Sequence, residues 1–114
     1  MKRGEIYLLC TNKHGNIQAG YRPVIIIQND LGNQYAPTTI VCSITSTQKK
    51  ALPTHLPIGK QGNLKKDSII LCEQIKTVCK TDLKQYIGFI SDQTTLEQLD
   101  NKILISLGVI KWTH

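Results

Sequence analysis

The stretch Gly20-Tyr21-Arg22-Pro23-Val24-Ile25-Ile26-Ile27-Gln28-Asn29-Asp30 constrains this chain more than any other. Residues 24–27 form an unbroken β-branched run closed by polar residues, which reads as a strand buried on both faces. Pro23 stands at its start, where a missing N–H does least harm to a sheet ladder. Arg22, being the residue before a proline, is pushed into an extended conformation. A guanidinium is thereby mounted at the mouth of a rigid central strand. Gly15 and Gly20 bracket the polar loop before it and leave that loop free to approach a ligand closely. By pattern alone Arg22 is a surface arginine at a strand start. The rest of the chain gives it a second reading.

Around this strand the pattern predicts an α+β domain of short, mainly antiparallel strands, small and barrel-like, with one helix at the end. Strands are expected at 5–10 (EIYLLC), 24–28, 38–45 (TTIVCSIT), 54–58, 68–78 (SIILCEQIKTV) and 85–90. On the third, Ile40, Cys42 and Ile44 face one way and Val41, Ser43 and Thr45 the other. Pro53 and Pro57 mark the fourth as an edge strand. Polar loops fall at 11–19 and 46–52, and residues 29–33 carry turn chemistry. A turn with glycines and lysines occupies 59–66, and a single helical turn 80–84. Ser91 or Thr94 can cap the last helix, with Glu97 completing a capping box behind Thr94. Leu96, Leu99, Ile103, Leu107 and Ile110 then recur at helical spacing, a stripe suited to core or dimer packing.

The 114 residues suffice for one domain, 1–114, burying about 65% of its unfolded surface. No apolar run approaches the ~20 residues of a membrane span, and the N-terminus does not read as a signal peptide. The chain is expected in the cytoplasm, with its four cysteines as reduced thiols and Cys42 and Cys72 buried in strands. Fourteen Lys and Arg against eight Asp and Glu give a net charge of +6, which favours a polyanionic partner.

No metal constellation, Ser/His/Asp order or glycine-rich phosphate loop stands out, so neither metal nor cofactor is expected. Of His14, His55 and His114, only His55 abuts a strand and is placed for acid–base work. Polar residues at strand ends are the better pool. Arg22 opens the central strand and Thr45 ends the next, its β-branched side chain leaving the hydroxyl few rotamers. Glu73-Gln74 interrupt the apolar pattern of the longest strand; Glu73 is equally readable as a solvent-facing strand residue.

These residues together resemble the MazF/PemK/Kid family of toxin endoribonucleases from bacterial toxin–antitoxin pairs. The likeness runs in register through Arg3-Gly4-Glu5-Ile6-Tyr7, Gln18-Ala19-Gly20 with Arg22-Pro23-Val24, and Gln28-Asn29-Asp30. It continues in Ile44-Thr45-Ser46, Leu52-Pro53-Thr54-His55, Asp67-Ser68, Glu73-Gln74-Ile75 and Ile105-Ser106-Leu107-Gly108. Gln28-Asn29-Asp30 and Leu52-Pro53-Thr54-His55 point to the branch found in Gram-positive bacteria. The resemblance implies a small SH3-like β-barrel with a C-terminal helix, working as a homodimer. It implies metal-independent, sequence-specific cleavage of single-stranded RNA to 2′,3′-cyclic phosphate and 5′-OH ends. Arg22 and Thr45 map onto the catalytic pair. The implied partner is a cognate antitoxin with an acidic, disordered tail that folds across the RNA groove.

RNA contacts are expected from the two loops, at Asn16, Gln18, Tyr21, Ser46, Lys49 and His55, and from Asn29, Gln74 and Lys76. Tyr21 could stack on a base, and Lys49 and Lys50 could contact phosphates. The chain departs from the family pattern at Ile17, where an acidic residue is usual, and at Lys76, where arginine is common. The rival from another class is a non-enzymatic toxin of the same fold that poisons DNA gyrase. It does not need Arg22 and Thr45.

Overall fold

A computed structural model describes residues 1–11, 20–47 and 50–111. Six strands, β1 (Glu5–Cys10), β2 (Tyr21–Ile26), β3 (Thr38–Thr45), β4 (His55–Gly59), β5 (Ser68–Cys79) and β6 (Leu83–Phe89), make one antiparallel sheet. Their order is β4-β5-β3-β2-β1-β6. A short helix α1 (Asp30–Tyr35) links β2 to β3, and α2 (Gln93–Ser106) follows the sheet.

β2 lies between β1 and β3, and Val24, Ile25 and Ile26 are wholly buried. Alternation sends Ile25 into one apolar cluster with Ile6, Cys42, Ile44 and the Leu99 and Ile103 of α2. Val24 and Ile26 go to the opposite face with Leu9, Val41 and Val78. Burying a side chain of this kind contributes roughly 1.5–3 kcal/mol, so the sheet is held from both faces along its middle. The expected facing of β3 is met, with Cys42 and Ile44 in the first cluster and Val41 in the second. β4 is an edge strand, as its prolines require.

Three expectations need correction. Residues 29–33 do not merely turn: Asn29 accepts a hydrogen bond from the Gly32 N–H at 2.8 Å and caps α1. The residue types that favour a turn are also those that cap a helix. Asp92, not Ser91 or Thr94, caps α2, its Oδ2 accepting from the Thr95 N–H at 3.1 Å and the Thr95 hydroxyl at 2.6 Å. The apolar stripe also ends early. Gly108, at φ +78°, closes α2 with its N–H on the Ile105 carbonyl and the Val109 N–H on that of Leu104, a Schellman arrangement. Leu107 and Ile110 are therefore exposed rather than packed beneath the helix.

Side-chain ties hold the layers together. Arg3 donates Nε to the Ile27 carbonyl at 2.8 Å and pairs with Asp100 of α2 at 2.7 Å. The Lys102 Nζ donates to the Pro53 carbonyl at 2.9 Å and the Ser106 hydroxyl to the Cys72 carbonyl at 2.8 Å. At the far edge, β6 leans on the 3-10 turn Gln61–Asn63, where Asn63 Nδ2 donates to the Ile87 carbonyl at 3.2 Å. No helix among the described residues is long and apolar enough to cross a membrane.

Candidate nucleic-acid interface

One face of the sheet opens into a cleft of about 1000 Å³. Arg22 and Thr45 both line it. They come together through the β2–β3 ladder, whose last pair is Val24 with Ser43. The same register carried two residues further sets Arg22 opposite Thr45, and two-residue alternation puts both on the face of Val24 and Ser43. Arg22 is exposed, and no hydrogen bond or ion pair engages its guanidinium among the described residues. The Thr45 oxygen accepts the Thr47 N–H at 3.1 Å. That bond fixes the hydroxyl at the strand end and leaves its own proton to donate into the cleft.

Ser46, Gln74 and Lys76 line the same cleft. The last two arrive by a bulge in β5. Ser43 pairs with Leu71 but the adjacent Cys42 pairs with Ile75, so residues 72–74 have no partner on β3. The bulge turns Gln74 and Lys76 toward the cleft while Ile75 packs on the core.

Other sequence candidates go elsewhere. Tyr21 is exposed but precedes Arg22 on the strand, so it points to the opposite face and does not line the cleft. Asn29 is occupied in capping α1 and is also outside it. His55 is buried, its Nδ1 accepting from the Leu52 N–H at 3.3 Å and its Nε2 meeting Glu73 Oε2 at 3.2 Å. The structure thus makes His55 a brace under the 52–55 loop rather than a cleft residue. Burial pushes the Glu73 carboxyl up, but hydrogen bonds from Thr54, its own backbone and His55 outweigh that and hold it below the usual carboxylate value. Asn16, Gln18 and Lys49, with Ile17, His14 and His114, lie outside the described residues.

Residues the strand pattern did not single out complete the lining. Lys65 and Lys66 approach from the turn before β5, and Tyr86 from β6. The lysine pair was visible in sequence as part of a turn; only the fold brings it to the cleft that Arg22 lines. All eight Asp and Glu side chains are among the described residues, and none lines the cleft. Its charged groups among the described residues are Arg22, Lys65, Lys66 and Lys76. Among the described residues no group of three His, Cys, Asp or Glu is placed to hold a metal ion. The buried Cys42 and Cys72 thiols are pushed up to about 12 by burial and are chemically quiet.

A cationic cleft of this kind, on an antiparallel sheet backed by a C-terminal helix, is suited to a phosphate-bearing chain. Residues 2–107 match the family described as PemK-like, MazF-like toxin of type II toxin-antitoxin system, and the chain belongs to that family. It is 46% identical, over all of its length and 97% of the relative's, to a protein from Staphylococcus epidermidis named endoribonuclease MazF. Its fold is that of a mycobacterial endoribonuclease solved with its cognate antitoxin (TM-score 0.80, 22% identity, 99% of each chain). It is similarly that of a MazE–MazF complex from Deinococcus radiodurans (TM-score 0.78, 16% identity, 95% of this chain and 96% of that one).

Proposed function

We propose that residues 1–114 form a single toxin domain that cleaves single-stranded RNA at specific sequences without a metal. One observation carries the reading. Arg22 and Thr45 end neighbouring strands on one face, in a cleft whose described charged groups are all cations. The 46% identity to a protein named endoribonuclease MazF supports the activity.

The ribose 2′-OH gives up its proton as its oxygen attacks the adjacent phosphorus, the P–O2′ bond forms, and the P–O5′ bond breaks. The 5′ oxygen leaves with a proton, giving a 2′,3′-cyclic phosphate and a 5′-OH end. Negative charge gathers on the non-bridging oxygens in the transition state. The planar guanidinium of Arg22 holds these oxygens through paired hydrogen bonds, and the Thr45 hydroxyl adds another. With a pKa above about 12, arginine is a poor base, so its role here is to stabilise charge. DNA lacks the attacking hydroxyl, so this mechanism cannot cut it. Ser46, Gln74 and Lys76 are the described residues assigned to reading and holding the RNA. Asn16, Gln18 and Lys49 extend that set from the two loops.

The sheet is read as a small SH3-like barrel, its β6 edge leaning on the turn that follows β4. The working form is a homodimer in the cytoplasm, and the neutralising partner an antitoxin whose acidic, disordered tail folds into the same cationic cleft.

The test is incubation of purified protein with a long single-stranded RNA in EDTA. Site-specific cuts with cyclic-phosphate ends, lost in Arg22→Ala, are the expected result. Intact RNA together with inhibited DNA gyrase would instead establish the non-enzymatic alternative.

A further inference from the structure

Tyr86 is half exposed, 50%, although it sits in a strand and lines the cleft. It is directly opposite Tyr7 in the β1–β6 ladder, and the two rings meet edge to face, with centroids 5.5 Å apart and planes at 76°. Tyr7 is itself held, its hydroxyl donating to Glu5 Oε1 at 3.0 Å. A T-shaped contact uses at most one face of each ring. At least one face of the Tyr86 ring is therefore left uncovered by Tyr7, on a side chain already fixed in orientation.

The charges around it complete the arrangement. The Asn63–Ile87 hydrogen bond ties the turn ahead of β5 to β6, and the same turn leads into Lys65 and Lys66, which line the cleft with Tyr86. A positively charged groove with an aromatic face in it is the general solution for holding a single strand, phosphates on the cations and a base on the ring. β1 separates β6 from β2, and Tyr86 stands level with Val24, two residues along from Arg22, so the two positions are about 12 Å apart by strand spacing and rise. That distance suits a base flanking the scissile phosphate, not one at it.

We propose that Tyr86, steadied by Tyr7 and flanked by Lys65 and Lys66, is a base-stacking subsite for single-stranded RNA. The inference rests on the ribonuclease reading above and adds to it a second contact region, on the β6 side of the cut. Stacking on an aromatic ring tolerates any base, so this subsite contributes affinity and register, leaving sequence choice to groups such as Gln74.

The test uses a fluorescent, mixed-sequence 2′-O-methyl RNA, which cannot be cut, with binding followed by anisotropy. Tyr86→Leu retains bulk but has no π face, and its affinity is expected to fall about tenfold, within the range for losing one stacked base. Tyr86→Phe keeps the face and is expected to restore most of the affinity. Separately, RNA carrying 5-iodouridine is irradiated with the wild-type protein, and a cross-link mapped to Tyr86 is expected. This second arm decides the matter if Tyr86→Leu is poorly folded. Wild-type binding together with unchanged affinity in folded Tyr86→Leu would overturn the stacking subsite alone. So would cross-links that map only elsewhere. Failure of the wild-type protein to bind RNA at all would remove the ribonuclease reading and this subsite with it.

Discussion

Thr45 is set up for its proposed role by very little. Its backbone belongs to β3, its oxygen accepts the Thr47 N–H, and its hydroxyl proton remains for the cleft. Thr45→Ala should keep the fold and slow RNA cleavage by about 10²–10³, the usual cost of removing one preorganised donor; Thr45→Ser should recover part of it. An unchanged single-turnover rate in Thr45→Ala would take the residue out of the site. Glu73 makes a prediction about pH. Its carboxyl is held low in the folded protein, so its contribution to stability is present above the unfolded carboxylate pKa and is lost as pH falls through the lowered folded value. Wild type should therefore melt above Glu73→Gln at neutral pH, with the gap closing in acid. Arg22 and Thr45 were legible as polar residues at strand ends from local pattern, but as a pair only through the family resemblance; the sheet brings both to one cleft. Asn29 and His55 have equally suitable chemistry for RNA, but helix capping and a contact with the Glu73 carboxylate claim them first. Tyr86 and Lys65 could not be found by pattern, because only the folded sheet brings them to the cleft that Arg22 lines.

The elements were read from the sequence in proportion to how local their causes are. β1 and β3 have the expected limits, since both are alternating or β-branched runs with polar stops. β2 begins at Tyr21 and ends at Ile26, earlier than its apolar run suggests. Past its end, Gln28 is drawn into hydrogen bonds with Asn33 and the Thr38 carbonyl. The cap of α2 provides a direct check on which residue starts the helix. Asp92→Ala should cost about 1 kcal/mol of stability by denaturant unfolding, as cap removals typically do, while Thr94→Ala should change little. The packing of β6 gives a sharper case. A Cβ at Gly88 would lie 2.2 Å from the Gly62 carbonyl oxygen, a backbone atom that cannot swing away. Gly88→Ala should destabilise by about 1–3 kcal/mol or more, and an unchanged thermal midpoint would mean that β6 does not rest on that turn.

At the scale of the whole molecule, charge is sorted rather than merely positive. A net +6 was visible in composition, but not that every Asp and Glu side chain would be kept out of one cleft while four described cations line it. If those four each displace a counterion from single-stranded RNA, log affinity should fall against log salt with a slope of about −3. A slope near zero in a binding titration would mean that the RNA does not lie there. Replacing Lys65 and Lys66 together by glutamine should lower the slope by roughly one to one and a half.

The unpaired segment of β5 has a consequence for how such a chain can vary. Four steps along that strand, from Leu71 to Ile75, answer a single step on β3 and reverse which side of the sheet the later residues occupy. Removing one residue there would act like a slipped gear tooth. Ile75 and Thr77 would rotate to the front, and Gln74 and Lys76 would be driven toward the oily back. A change of one in length at this point would exchange the cleft lining for the core packing, so substitutions are tolerable here where deletions are not.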